Sequence, residues 1–364
     1  MNRDMLEYVP NEIHLRRDAE ARELDALLPS DAFSENVRKR LYEFALIRNS
    51  WGTTNIDAGP VGLERVEALY EAYRRGAAYT ARILPTEQEI LNYFRLVDDL
   101  PTERFDLSVD DLRGLHRDYF RDVPLHNKAR PGQWKEAANV VDGPFGRLET
   151  TAPDRVVEEL QHLLDWLNAK AWELPVIARA GLFFHRFQQI HPFADGNGRV
   201  GRLATLWVLS SGGLPSVRLC PIDDSINEDR EHYYVALRAA DRGEVGAWID
   251  YFSARLADGY GRAKLLADRL QLIPSNLHRE STQLLEYLYV HKVQEFRPSQ
   301  VKPFFPGVPR RTLRRRLAEL EERSLILGAG RGEGRRYQVR SLHDVLLARN
   351  AKAWKAGTGA PHGP

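Results

Sequence analysis

Apolar residues recur three and four apart along most of this chain, the spacing that gathers them on one side of an α-helix. SENVRKRLYEFALIRN, LERVEALYEAYRR, RVVEELQHLLDWLNAKAW, LPVIARAGLFFHRFQQI, RVGRLATLWVL and REHYYVALRAADR all read this way. Proline and glycine separate them, at Gly59-Pro60, Pro131-Gly132, Gly212-Gly213-Leu214-Pro215 and Pro274. Strand signals are sparse. QWKEAANVVDGPFGRLET sets two short β-prone runs around a turn centred on Asp142-Gly143-Pro144, which predicts a β-hairpin. The pattern therefore predicts a mainly α fold with one hairpin. It ends in a disordered tail over residues 351–364, where the polar, Gly-rich KAGTGAPHGP offers nothing to bury.

Composition changes this picture in two ways. A length of 364 residues with 43% hydrophobic and 28% charged residues fits a globular protein of two or three domains. The single cysteine, Cys220, excludes an internal disulfide and a multi-cysteine zinc site and suits a reducing compartment. MNRDMLEYVPNEIHL is too charged for a signal peptide, and no apolar run approaches the ~20 residues of a membrane span. The expectation is a cytoplasmic protein with no membrane contact. The formal charge of +1 hides a segregation: residues 271–350 carry fifteen Lys/Arg against eight Asp/Glu, so the rest is acidic. A basic module is expected over 275–345.

HPFADGNGRVGR, residues 191–202, joins two strongly apolar helical stretches. A glycine-rich loop that opens a helix is an anion site, because the first backbone N–H groups and the positive end of the dipole point into it. Gly196, Asn197 and Gly198 supply that loop. Arg199 and Arg202 lie three apart on the following helix and can grip further phosphates. Asp195 is a hard oxygen ligand suited to Mg²⁺, which bridges phosphates and keeps its waters. His191 can take a proton near neutral pH. A helix C-terminus favours its charged form, whereas Mg²⁺ and two arginines nearby favour the neutral one, and sequence leaves that balance open.

The stretch resembles the signature of the Fic family, H-x-F-x-[D/E]-G-N-G-R-x-x-R, at every specified position, and the likeness extends from about residue 34 to 262. The resemblance implies a Fic-type helical core over 106–262 that transfers AMP from Mg²⁺–ATP to a Ser, Thr or Tyr hydroxyl of a target protein or of the chain itself. His191 would deprotonate the hydroxyl and Asp195 would hold Mg²⁺. Gly196, Asn197 and Gly198 would form the anion hole, Arg199 and Arg202 would bind the outer phosphates, and Phe193 would anchor the loop in the core. The hairpin resembles the family's flap, which orients the target by strand addition. Val140 and Val141 are its ladder positions, and Lys135 stands where relatives often have arginine. NEDREHYYVALRAADR resembles the helix whose tyrosine pair, here Tyr233 and Tyr234, borders the adenine.

The N-terminal region, 1–105, holds a degenerate match to the family's inhibitory motif, [S/T]-x-x-x-E-[G/N]. TTNIDA places Asp57 where the motif has glutamate. Aspartate reaches roughly 1.5 Å less by one carbon–carbon bond. Pairing with Arg202 is expected to be weaker, or to need a shifted helix, and Asp57 as a plain helix end is the competing reading.

The basic module reads as helix, short helix, turn, long helix and a two-stranded wing. It resembles a winged helix-turn-helix that exposes Arg310, Arg311, Arg314 and Arg315 toward DNA, with Arg331, Arg335 and Arg336 at the wing tip. Two alternatives to the transferase follow: a DNA-binding regulator with a nucleotide-sensing Fic domain, and a hydrolase that removes AMP with Asp57 positioning water. Protein contact or homodimerisation is the other use of the module.

Overall fold

The computed structural model describes residues 8–28, 33–76, 83–101, 103–125, 129–143, 146–341 and 344–345, with backbone only at 141–143, 146, 147 and 333. The expected tail at 351–364 lies outside them. The chain divides into two compact units, residues 1–264 and 265–364. Helix dominates both, as the apolar periodicity predicts.

The first unit begins with α1 (Glu12–Leu27), α2 (Glu35–Asp57), α3 (Leu63–Arg74), α4 (Pro85–Asp98) and α5 (Val109–Tyr119). Each start carries a recognisable signal. Ser34 accepts a hydrogen bond from the Val37 N–H, Pro85 opens α4, and Ser108 with Asp111 forms a capping box. The hairpin follows as β1 (Val140–Gly143) and β2 (Gly146–Glu149), paired antiparallel with Val140 opposite Glu149 and Gly143 opposite Gly146. Asp142 and Gly143, expected in the turn, are thus ladder residues, and Pro144 lies outside the described residues. Then come α6 (Val156–Asn168), α7 (Val176–Ile190), α8 (Asn197–Ser211), α9 (Ile222–Glu228), α10 (Arg230–Asp241) and α11 (Val245–Gln271), the last containing the boundary between units.

Helices α7 and α8 form the centre of this unit. Phe183, Phe187, Ile190, Phe193, Val200 and Leu203 are all at most 1% exposed, a run long enough to fix the two helices against each other. Helix α2 docks on α9 at very short range. Gly52 makes this possible, since a Cβ there would lie 2.4 Å from the Asp223 carbonyl oxygen. The Asn49 amide closes the same contact, donating to the Cys220 carbonyl at 2.8 Å and accepting from the Asp223 N–H at 2.9 Å.

The second unit contains α12 (Arg279–Val290), β3 (Glu295–Phe296), α13 (Pro298–Val301), α14 (Arg310–Glu322), β4 (Ile326–Ala329) and β5 (Arg336–Val339). Its sheet has the order β3-β5-β4, one strand more than the two-stranded wing expected from sequence. Pro309 precedes α14, and Leu313, Leu317 and Leu320 bury its inner stripe.

Candidate active site

The loop between α7 and α8 is built around His191. This residue ends α7 in the left-handed region, φ 49° and ψ 61°, with its N–H on the Phe187 carbonyl at 2.9 Å. Left-handed backbone is uncommon for a residue with a side chain and is found where a tight structure enforces it. The reversal brings the imidazole to the edge of the cleft. Its Nδ1 lies 3.3 Å from the Gln188 carbonyl oxygen, which can only accept, so Nδ1 carries the proton and Nε2 keeps its lone pair. Burial pushes the His191 pKa down to about 4, against a weaker upward pull from Gln188. The open question of its charge is thereby decided by desolvation, in favour of the neutral form.

Phe193 anchors the loop between two flat partners, the His116 ring 3.8 Å away and the Trp134 ring 4.8 Å away, centroid to centroid. His116 was not foreseen from sequence. Its Nδ1 accepts from the Gly132 N–H at 2.8 Å, so its Nε2 donates to the Asp195 carbonyl at 3.0 Å. Burial holds it neutral, with a pKa pushed down to about 4. Asn197 turns its amide inward, accepting from the Phe193 N–H at 2.9 Å and donating to the Phe193 carbonyl at 2.8 Å. It therefore braces the loop with its side chain and offers the cleft only its backbone.

Helix α8 opens directly from Gly196 at φ 83°, so its first N–H groups face the cleft without helical acceptors. Arg199 is buried and held by Glu89 of α4 and by Asp195 at 3.0 Å, with its guanidinium over the Phe120 ring. Glu89 was also missed from sequence. Burial raises its pKa, and the facing Arg199 opposes that. Asp195 further accepts from the Gly196 N–H at 2.6 Å. Among the described residues no cluster of three or more His, Cys, Asp or Glu could hold a metal by itself. A lone carboxylate at the mouth of an anion cradle suits a cation such as Mg²⁺ that takes its other ligands from phosphates and water.

Arg202 is spoken for by α2. Its Nε donates to the Thr53 hydroxyl at 2.8 Å, and its Nη2 donates to the Thr53 carbonyl at 3.1 Å and to Asp57 Oδ2 at 2.8 Å. Aspartate thus reaches Arg202 despite its shorter side chain. The Asp57 carboxylate also lies against Gly198, where a Cβ would stand 2.2 Å from Oδ2. It thus covers the start of α8 as well as pairing with Arg202.

His191, Asp195, Gly196, Asn197, Gly198, Arg199 and Asp57 line one open cleft of about 820 Å³, together with Val140, Leu148, Tyr233 and Tyr234, while Arg202 lies behind Asp57, outside that lining. Tyr233 is buried among Phe184, Trp248 and Tyr251, and Tyr234 is part-exposed, as helical neighbours pointing about 100° apart should be. Val141 pairs with Leu148 in the ladder, but its side chain lies outside the described residues. Lys135 is 3% exposed and meets no carboxylate among its hydrogen-bond partners. Its ammonium donates to the Asn139 side chain, the Thr150 hydroxyl and the Ile190 carbonyl at 2.9, 2.7 and 3.1 Å. It ties the root of the hairpin to the end of α7, and burial pushes its pKa down to about 8.

In the second unit Arg310, Arg311, Arg314 and Arg315 are exposed and carry no ion pair or hydrogen bond among the described residues. The wing-tip arginines differ from expectation. Arg335 turns onto Glu321 at 2.7 Å and Arg336, still exposed, pairs with Glu295 at 3.2 Å, while Arg331 is exposed with no ion pair among the described residues.

Residues 106–209 match the Fic/DOC family. The chain is 29% identical over 205 residues to the protein adenylyltransferase fic-1 of Caenorhabditis briggsae, which covers 55% of this chain and 37% of the relative. It is 35% identical over 119 residues to a probable protein adenylyltransferase of Aquifex aeolicus, covering 30% and 34%. The chain spans less than half the length of these curated relatives. Among solved structures, a Fic family protein from Desulfovibrio desulfuricans shares the fold with a TM-score of 0.60 at 21% identity, over 92% of this chain and 97% of that one. Fic-1 of Caenorhabditis elegans does so with a TM-score of 0.54 at 18% identity, over 69% and 72%.

Proposed function

We propose that the chain, through its Fic/DOC domain, transfers AMP from ATP to a hydroxyl group of a target protein or of itself. The observation that carries this reading is a neutral histidine with an available Nε2 beside a helix-start anion cradle and Arg199 in one cleft, with Arg202 three residues further along α8 and held by Asp57. His191 takes the proton of the incoming hydroxyl, whose oxygen attacks the α-phosphorus. The bond from that phosphorus to the β,γ-diphosphate breaks, and pyrophosphate leaves. The first N–H groups of α8 and Arg199 offset charge on the phosphoryl oxygens, a role that needs donors already in place. Asp195 would hold Mg²⁺, which would supply charge neutralisation on the phosphates. Tyr234 offers the base a flat face, and β1 offers a strand edge on which an extended target can pair at Val140 and Val141. The fic-1 relatives, named as adenylyltransferases, support this reading.

The test is intact-protein mass spectrometry after incubation with Mg²⁺ and each nucleoside triphosphate in turn, alone and with lysate. A gain of one AMP, selectively from ATP, is expected. Modification from none of the four would remove the proposal.

In the same reading α2 is an inhibitory helix, because Asp57 and Thr53 occupy the guanidinium that the outer phosphates need. The second unit is a winged helix with DNA as its partner, a reading favoured by four unpaired arginines at the start of α14 while other arginines of the unit are paired. Substituting Arg311→Ala together with Arg315→Ala is expected to weaken duplex binding about tenfold and lower the salt-dependence slope by about 2. Filter binding across a salt series reads both quantities. Absence of wild-type binding at low salt would remove DNA as the partner.

A further inference from the structure

A second cavity of the first unit shares no residue with the cleft and lies at the far end of α8. Its walls come from the segment before α5, the turn before α7, α7 itself and α8, and include Phe105, Trp172, Arg179, Trp207 and Ser211. The polar atoms left over in these walls are of one kind. Trp172 Nε1, Trp207 Nε1 and Arg179 Nε are buried without a hydrogen-bond partner, and all three are donors. Asn168 is already spent, donating to the Leu107 carbonyl at 2.9 Å.

Charge points the same way. Arg179 is 3% exposed and has neither ion pair nor hydrogen bond among the described residues. The guanidinium carbons of Arg104 and Arg179 lie 4.2 and 3.9 Å from the centroid of the Trp172 ring. Two planar cations at that range cannot share one face, so they sandwich the indole. Burial pulls the Arg179 pKa down to about 10, Arg22 and Arg104 add to the effect, and Asp18 opposes it. A desolvated cation with another cation as its neighbour calls for a negative group.

We propose that this cavity binds a monatomic anion of the chloride class through Arg179, Trp172 and Trp207. The space for a ligand is small, on the scale of a few atoms, which favours a small anion over phosphate and sulfate. Water fits, but it brings two donors of its own to a wall already rich in donors, and no charge. A halide accepts from every wall group and neutralises the guanidinium. The ion would also pin the segment before α5 onto α8, because Phe105 lies on Trp207 with ring centroids 5.2 Å apart and planes 5° from parallel. None of this depends on the nucleotide chemistry.

The experiment compares thermal unfolding of the full chain in sodium chloride and sodium gluconate at equal ionic strength. Chloride at about ten times its Kd should raise Tm by about 3 °C. R179M should remove the difference and, in gluconate, unfold no earlier than wild type, since it discards an uncompensated charge. W207F removes one donor and should raise the chloride concentration needed for half the effect about tenfold. Crystals grown in bromide supply a reading that needs no variant, an anomalous peak within hydrogen-bond reach of the Trp172 and Trp207 nitrogens. Equal Tm values in the two salts, an R179M response equal to wild type, or a water with no anomalous signal would each overturn the site.

Discussion

Replacing His191 by asparagine is expected to cut AMP transfer by about 10²–10⁴-fold, the usual worth of a general base, with nucleotide affinity within about twofold of wild type. Asparagine is the informative replacement because His191 sits at φ 49°, a conformation that asparagine tolerates and alanine does not. H191A should therefore lose the same activity and also some thermal stability. The same physics predicts a titration. Burial pushes the His191 and His116 pKa values down to about 4, so both rings should remain neutral at pH 5.5 in histidine-labelled NMR spectra. The unfolded chain, with histidines near ~6.5, binds more protons between these values. Stability from both rings is thus complete above pH ~6.5 and declines as pH falls below it. Transfer by H191N within a few-fold of wild type would end the base assignment.

Asp57→Ala should raise the initial rate of AMP incorporation about 10–100-fold. A loose, exposed pair would be worth only about fivefold. The contact found is tighter: 2.8 Å, with the Arg202 side chain 3% exposed and Thr53 bound to the same guanidinium. The Asp57 side chain is 24% exposed, so the pair is buried on the arginine side only; removing the carboxylate leaves the buried Arg202 cation in want of a partner, which the outer phosphates of the nucleotide can supply. Asp57→Glu is the complementary case. The carboxylate already lies against Gly198, so the extra methylene has no room. Partial release is expected. Rates of the three proteins at matched concentration decide the matter, and equal rates would make Asp57 a simple helix end. Faster loss of AMP from a labelled target by wild type than by Asp57→Ala would favour the hydrolase.

Residues 191–202 were legible in sequence because the chemistry is contiguous there, and so were most helices, because apolar spacing is a local property. What escaped was pairing at a distance. Glu89 meets Arg199 across 110 positions and His116 meets the Asp195 carbonyl across 79, and nothing local marks either residue. Side-chain length is written at position 57, but where α2 sits depends on distant contacts such as Gly52 against Asp223. Asn197 was assigned by its place in the loop, while its amide proved to serve the backbone of Phe193. The hairpin follows the β-prone runs, yet Asp142 and Gly143 pair in the ladder although Asp-Gly is strong turn chemistry.

Lys135 holds the hairpin at its root. Its three partners, Asn139, Thr150 and Ile190, all lie outside the ladder of β1 and β2. If the hairpin receives the target as proposed, lengthening or rewriting it beyond residue 143 would alter the choice of peptide without disturbing the residue before His191. One added residue between 135 and 139 would instead pull on the end of α7. On that reading the tip is free to diverge and the root is not.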